Sequence, residues 1–252
     1  KIHTQTLAAA ALTFVLAMSS GPASASVTVG GGGVPSVGDA RMIEINPVDK
    51  SVWVTVQQSA EATRIDRFSR TGETYTSTPV RTHTFAGKYL RNIDFDASGR
   101  IYALTGLLPN QVALAIGTPN YNVSAITATT TISLTNFDAD FLEVDSAKRI
   151  YVGTLKGDVR IYTPTSSAAT AYRLTNSFRV TECYGQWGCV MGMVIQPGTQ
   201  KLWINSNALQ KFVIYNTAAA TISAPVAWMR PASSISTRTA PRRVVFCPNG
   251  NA

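Results

Sequence analysis

A motif that recurs about every fifty residues constrains this 252-residue chain more than any other feature of its sequence. Each copy has an apolar alternating run, a polar turn and a second run with an aromatic residue at its second or third position. These aromatics lie 49, 49 and 52 residues apart: Trp53, Tyr102, Tyr151 and Trp203. A fifth start follows at Val244, and its Pro248 lies 201 residues after Pro47. Self-similarity at a fixed period indicates a repeat architecture.

Within each copy, the pattern predicts a β-hairpin followed by further strands. Period-two apolar patterning on both sides of a turn such as Asp-Ala-Ser-Gly is typical of antiparallel strands. Third strands are expected at residues 64–68, 159–162 and 212–215, and weaker fourth strands at 80–85, 129–134, 172–174 and 225–229. Radially repeated four-stranded sheets build a β-propeller. We therefore predict an all-β fold, a β-propeller of four-stranded antiparallel blades, with four repeats and the start of a fifth.

The blade motif resembles that of the NHL and SMP-30-like propeller families. The resemblance covers nearly all of residues 41–250 and is clearest in Asp96-Ala-Ser-Gly-Arg-Ile-Tyr102 and Lys148-Arg-Ile-Tyr-Val-Gly153. These families include lactone hydrolases, lyases and interaction modules, so the resemblance implies the fold rather than the activity. Their members usually close with six blades. Either the sequence is truncated, which we favour, or it closes as a small propeller of four or five blades that residues 27–29 complete.

The N-terminal residues have the pattern of an export signal. Lys1 supplies a positive start, residues 7–18 are mostly apolar, and Ala23-Ser24-Ala25 offers a small-x-small cleavage site. We expect a signal peptide at 1–25, a Gly-rich linker at 26–40 and the propeller domain at 41–252. No segment after the signal is apolar enough to predict a transmembrane helix. The predicted location is therefore secreted or periplasmic.

The cysteines agree with an oxidising compartment. Cys183 and Cys189 frame a short loop that can close as a disulfide. A zinc site is the alternative, but no histidine lies nearby in the sequence to complete it. Cys247 is left over, which indicates a free thiol, an intermolecular bond or a partner lost by truncation.

Charged residues are expected to converge at the mouth of the central channel, because the first strand of every propeller blade lines that channel. Two positions before the first apolar residue of the motif in each repeat stand the following residues: Arg41, Arg91, Asp140, Met191 and Arg242. One interpretation is a pocket for a carboxylate or phosphate, which guanidinium groups bind bidentately. The other, which we favour, is that neighbouring acids satisfy the arginines.

A column of acids occupies the first strands of three consecutive repeats: Glu44, Asp94 and Glu143. Because an unpaired buried carboxylate is costly, these residues should pair with the arginines or bind a cation. Pairing is our default, and no cofactor is expected. A calcium or other divalent metal site is the alternative that the SMP-30-like resemblance implies, although the Glu-Gly-Pro metal-binding opening of those lactonases is absent.

No familiar catalytic motif supports an enzyme, because Gly-x-Ser-x-Gly, His-Glu-x-x-His and phosphate-loop patterns are all missing. His83, in an outer-strand context, is predicted to lie on the surface. The last seventy residues contain six basic side chains and no acidic one, which suits an anionic partner, although nucleic acid is a poor candidate for an exported protein. We predict a module that binds a ligand or protein; the alternative is a gluconolactonase-like metal-dependent hydrolase or lyase.

Overall fold

The computed structural model of the chain describes residues 14–15, 26–27, 39–59, 62–72, 74–85, 89–222 and 224–229. Those residues form twenty strands and one short 3-10 helix, Pro109–Gln111. Two small antiparallel pairs lie outside the main sheets, β1 (Phe14–Val15) with β2 (Ser26–Val27), and β6 (Arg70–Thr71) with β7 (Thr74–Tyr75).

The other sixteen strands form four antiparallel sheets of four strands each, which we number as blades 1 to 4. Blade 1 has β3 (Asp39–Ile45), β4 (Val52–Gln57), β5 (Thr63–Phe68) and β8 (Arg81–His83). Blade 2 has β9 (Leu90–Phe95), β10 (Ile101–Thr105), β11 (Ala113–Gly117) and β12 (Ala128–Ser133). Blade 3 has β13 (Ala139–Val144), β14 (Ile150–Thr154), β15 (Asp158–Pro164) and β16 (Tyr172–Arg179). Blade 4 has β17 (Gly192–Ile195), β18 (Lys201–Ser206), β19 (Lys211–Asn216) and β20 (Ala227–Met229).

The predicted fold class is confirmed, since these sheets are arranged as blades of a β-propeller. First strands of successive blades contact each other, β3 with β9, β9 with β13, and β13 with β17. The structure also adds to the sequence prediction: β11 was not foreseen, and β16 continues to Arg179, beyond the residues 172–174 that were expected. The fifth repeat start at residues 244–250 lies outside the described residues.

Hydrophobic cores lie between successive blades because each blade is apolar on both faces. Blades 1 and 2 share one core, blades 2 and 3 a second, and blades 3 and 4 a third. In the third, Tyr151 and Ile161 of blade 3 pack in the same cluster as Met193 and Leu202 of blade 4. Burial on both faces explains why β10, β11 and β14 carry no charged residue.

The aromatic residue of each repeat has a second role, as a hydrogen-bond donor to the turn of its own hairpin. The Tyr102 hydroxyl donates to Asp96 Oδ2 at 3.1 Å, and the Tyr151 hydroxyl donates to Asp145 Oδ2 at 3.1 Å. In blades 1 and 4 a tryptophan takes the place of the tyrosine. In blade 1, Trp53 Nε1 donates to Ser51 Oγ at 2.8 Å. Because the aromatic residue must fill the core and also bond to the turn, it occupies the same place in every blade. This shared requirement explains why the aromatic recurs along the sequence.

The prediction that His83 lies on the surface is wrong. Its side chain is fully buried, and its ring stacks on Trp53 with centroids 4.7 Å apart and planes 16° from parallel. Neither ring nitrogen makes a well-formed hydrogen bond within the described ranges, although backbone groups of Val123 and Ser124 interact with the ring. Burial lowers the pKa of His83, and the positive charge of Arg67 lowers it further; the nearby backbone of Val123 raises it by less.

The buried neutral imidazole predicts that the protein loses stability in mild acid. A folded-state pKa below the unfolded value means that the unfolded chain binds more protons, so the stabilising contribution is present above pH 6.5 and is lost as the pH falls below it. Urea unfolding of the wild type should give a lower free energy of unfolding at pH 5.5 than at pH 7.5. His83→Phe, which keeps an aromatic ring against Trp53, should reduce that difference; an equal difference in both proteins would contradict the prediction.

Candidate functional site

The loop end of the propeller, where the second strand of each blade ends and the first strand of the next begins, holds the candidate site. Three connections meet there: the segment between β10 and β11, the turn between β14 and β15, and residues 180–191 between β16 and β17. Connections of this kind carry most binding functions, because a rigid sheet scaffold positions them.

Arg91 of β9 lies at this end, where its guanidinium contacts backbone carbonyls and two carboxylates. Its Nε donates to the carbonyl of Gly106 at 2.7 Å, and its Nη2 donates to the carbonyl of Leu107 at 2.9 Å. Its Nη1 forms ion pairs with Asp138 at 2.5 Å and Asp140 at 3.2 Å. The guanidinium therefore joins the β10–β11 connection of blade 2 to the start of blade 3.

Asp140 is the partly buried member of this pair of carboxylates. Burial raises its pKa, and the nearby charge of Asp138 adds to the rise, while Arg91 and the backbone N–H of Leu155 act in the opposite direction. Asp138 is the more exposed acid of the two. Arg91 is therefore paired with a partly buried carboxylate, Asp140, whose pKa lies above its ordinary value.

Of the predicted channel-mouth residues, the structure brings Arg91 and Asp140 together. Met191 lies at the same end, where its backbone N–H donates to the carbonyl of Asn205 at 2.8 Å. The side chain of Arg41 and all of Arg242 lie outside the described residues. At Arg91 the geometry fits pairing with neighbouring acids, because its donors already point at protein oxygens; the anion pocket stays a prediction.

The predicted acid column connects neighbouring blades. Asp94 Oδ2 accepts a 2.6 Å hydrogen bond from the backbone N–H of Val144, and Glu143 Oε1 accepts one of 2.9 Å from the N–H of Ile195. Each acceptor lies in the first strand of one blade and each donor at the end of the first strand of the next. Glu44 also has an interaction partner. Within the described ranges, no group of three or more histidine, cysteine or acidic residues is arranged to hold a metal ion.

Because Asp94 and Glu143 are engaged across the blade interfaces, we predict that calcium does not stabilise the protein. Adding about 1 mM calcium to chelator-treated protein should leave the Tm within about 1 °C of its metal-free value, since a ligand raises Tm only by binding the folded state. The measurement is differential scanning fluorimetry with magnesium as the ionic-strength control. A rise with calcium but not magnesium would instead support the metal-binding alternative.

The predicted disulfide between Cys183 and Cys189 is confirmed, with an S–S distance of 2.02 Å. Both cysteines are buried, and backbone hydrogen bonds hold the loop on both sides. The N–H of Cys189 donates to the carbonyl of Leu155 at 2.9 Å, which connects the loop to blade 3. The N–H of Asn207 in blade 4 donates to the carbonyl of Gly188 at 3.0 Å. The loop is therefore anchored to two blades.

The tip of this loop presents two aromatic side chains to solvent. Trp187 is 67% exposed and Tyr184 is 44% exposed. The guanidinium carbon of Arg179 lies 4.5 Å from the centroid of the Tyr184 ring. Sequence reasoning found the cysteines but did not assign these aromatics a role. The sequence did contain an indication of this exposure, because both aromatics lie between the two cysteines. A short loop closed by a disulfide cannot bury two aromatic side chains.

Comparisons with known proteins support the fold alone. No family model and no curated protein matches the chain. A Lactobacillus plantarum protein superimposes with a TM-score of 0.53 and 12% identity, over 79% of this chain and 59% of that one. The β-propeller domain of Cps50 (Swd1) from Myceliophteria thermophila gives 0.55 and 12%, over 77% and 60%. A functionally unknown protein from Desulfotomaculum acetoxidans gives 0.53 and 16%, over 77% and 62%.

The chain is built as a β-propeller. It spans about 60% of the length of these solved structures. Propellers commonly serve as binding modules, and a fold shared at this level of identity leaves the partner undefined. In the part of the chain that the structure describes, no helix is long and apolar enough to cross a membrane.

Proposed function

We propose that this chain is an exported binding module, secreted or periplasmic, which recognises a protein partner through its loop end. The observation that carries the proposal is the disulfide-closed loop with Trp187 exposed at its tip. Exposed tryptophan and tyrosine on a rigid loop lose little conformational entropy on binding, and both residue types are enriched among interface hot spots.

Two further observations support this surface. The exposed side chains of Leu107 and Leu108 lie in the β10–β11 connection at the same end. Arg91 joins that connection to blade 3, whose β14–β15 turn in turn binds the disulfide loop. The apolar groups of the loop end are thus mounted on one connected framework, which favours a pre-organised interface.

Export is supported by independent features. The N-terminal pattern ending at Ala25 is that of a signal peptide, and buried disulfides persist in oxidising compartments. The blade motif resembles NHL and SMP-30-like propellers, which include interaction modules. The carboxylates of the alternative hydrolase, Asp94 and Glu143, bind backbone N–H groups of the next blade, so no observation favours that second function.

The test compares Trp187→Ala with a matched variant at the opposite end of the blades. Val48, 59% exposed in the β3–β4 turn, provides the control Val48→Ala. Immobilised wild-type and variant proteins are presented with exported proteins of the source cell, and candidates retained by the wild type are purified and titrated. Loss of Trp187 should weaken the binary Kd by about thirtyfold, because a hot-spot truncation costs about 2 kcal/mol or more.

Val48→Ala should bind like the wild type. If every purified partner binds the wild type and Trp187→Ala with equal Kd, the loop end is not the recognition surface. If no exported protein binds the wild type at all, the proposed function itself is wrong.

A further inference from the structure

The connection between β11 and β12 lies against blade 1, although both strands belong to blade 2. We call this connection, residues 118–127, the strap. A parallel bridge pairs its Ala125 with Thr84, the residue after β8. The N–H of Thr84 donates to the carbonyl of Ser124 at 2.9 Å, and the N–H of Ile126 donates to the carbonyl of Thr84 at 2.8 Å. Backbone hydrogen bonds therefore attach the strap to blade 1.

Side chains anchor the strap on both sides of this bridge. Asn46 Nδ2 donates to the Tyr121 hydroxyl at 3.0 Å, and the guanidinium carbon of Arg67 lies 4.3 Å from the centroid of the Tyr121 ring. On the other side, Ile126 is buried in the core that blades 1 and 2 share. The residues between these anchors, 122–125, are all exposed. This part of the strap can therefore open at the lowest cost, because it buries the least surface.

The exposed part of the strap covers the ring of His83. Backbone groups of Val123 and Ser124 interact with that ring, and the His83 side chain itself is fully buried. On other sides lie Trp53, which stacks on the ring, and Ile65, which is opposite His83 in the β5–β8 pair. Both Trp53 and Ile65 are fully buried in the core. Water can therefore reach the ring most readily where the strap lies.

The charges around His83 oppose its protonation while the strap is in place. The titratable and charged groups around the ring are Asp49, Arg64, Asp66, Arg67, Arg81 and Tyr121. Both acids already have cationic partners, since Asp49 pairs with Arg67 and Asp66 pairs with Arg64. Burial lowers the pKa of His83 most, and the charges of Arg67 and then Arg81 lower it further. A protonated ring therefore needs water to solvate its charge.

We propose that the strap is a cover that detaches from Thr84 in mild acid, when His83 binds a proton and its ring becomes hydrated. Detachment exposes the stacked rings of His83 and Trp53, while the blades stay folded. A local opening of this kind takes up the proton before the chain unfolds as a whole. The device is built from blades 1 and 2, and it does not depend on the function proposed for the disulfide loop, which is anchored to blades 3 and 4.

Hydrogen exchange measured by NMR tests the proposal at the two amides that join the strap to blade 1, those of Thr84 and Ile126. Their protection, corrected for the intrinsic exchange rate, should fall about tenfold from pH 7.5 to pH 5.5. The reason is that the open form binds the proton at the ordinary histidine pKa of 6.5, which multiplies the open population as the pH falls. About 1 M urea should leave this exchange unchanged, because detachment of a short segment exposes little surface.

Two variants separate the proton from the strap. His83→Phe keeps an aromatic ring against Trp53 but cannot bind the proton, so both amides should be equally protected at the two pH values. Tyr121→Phe removes the hydrogen bond from Asn46 and should raise the open population about fivefold, which raises the pH at which the His83 ring titrates by about 0.7. NMR of the ring measures this change and keeps the test valid if His83→Phe fails to fold. Tyr172→Phe, the matched control, removes a hydroxyl from blade 3 and should change neither measurement.

Three outcomes would overturn the proposal. One is that Thr84 and Ile126 exchange as slowly as the amides of β14 and with the same dependence on urea, because His83 would then be protonated only when the whole chain unfolds. Another is a pH dependence that persists in His83→Phe. The third is that the His83 ring titrates at the same pH in Tyr121→Phe as in the wild type, which would show that the strap does not control access to the ring.

Discussion

Asp145→Ala is expected to lower the free energy of unfolding by about 3–5 kcal/mol, the cost of removing one partner from a buried ion pair. The side chain of Asp145 is only 4% exposed. Its Oδ1 accepts the backbone N–H groups of Ala147 and Arg149 at 2.9 and 2.8 Å. Its Oδ2 accepts Arg149 Nε at 2.6 Å and the Tyr151 hydroxyl at 3.1 Å. Alanine leaves all of these donors without their acceptor.

Two further variants define how much of that loss belongs to the carboxylate network. Tyr151→Phe removes one donor and keeps the ring in the core, so it should cost about 1–2 kcal/mol. Asp158→Ala breaks an ion pair with Arg179, whose side chain is 62% exposed, and should cost less than about 1 kcal/mol. Chemical denaturation measures all three. Equal losses for Asp145→Ala and Asp158→Ala would show that burial of the network contributes nothing.

This network explains why the blades could be predicted from the sequence. The turn carboxylate and the aromatic residue recur together because each satisfies a need of the other: Tyr102 and Tyr151 require acceptors, and Asp96 and Asp145 require donors. This mutual constraint between residues six apart occurs in both blade 2 and blade 3, and the recurrence is visible without a structure.

Other parts of the site depend on contacts between distant residues, which leave no local pattern. The pairing of Arg91 with Asp140 joins residues 49 apart, and the sequence could indicate only that they would lie at the same end. The burial of His83 depends on Trp53 and on the loop of the next blade. A strand as short as β8 has too few residues to show periodicity, so nothing local distinguished His83 from a surface residue.

Gly157→Ala is expected to lower the free energy of unfolding by about 2–4 kcal/mol, as overpacking adds to backbone strain. Gly157 has a φ of +101°, and a Cβ at this position would lie 2.7 Å from Cys189 Sγ. The sulfur belongs to a buried disulfide and cannot move aside as the end of a flexible side chain would. Thermal and chemical unfolding measure the loss.

Gly198→Ala separates the two causes. Gly198 also has a positive φ, +70°, but a Cβ there meets nothing within 4 Å, so only the backbone cost of about 1–2 kcal/mol applies. The excess loss in Gly157→Ala measures the contact with the disulfide. Because the carbonyl of the adjacent Lys156 accepts the N–H of Gly185 in the same loop, displacement of the turn moves the base on which Trp187 is held. Gly157→Ala should therefore weaken partner binding at the loop end, whereas Gly198→Ala should leave it unchanged.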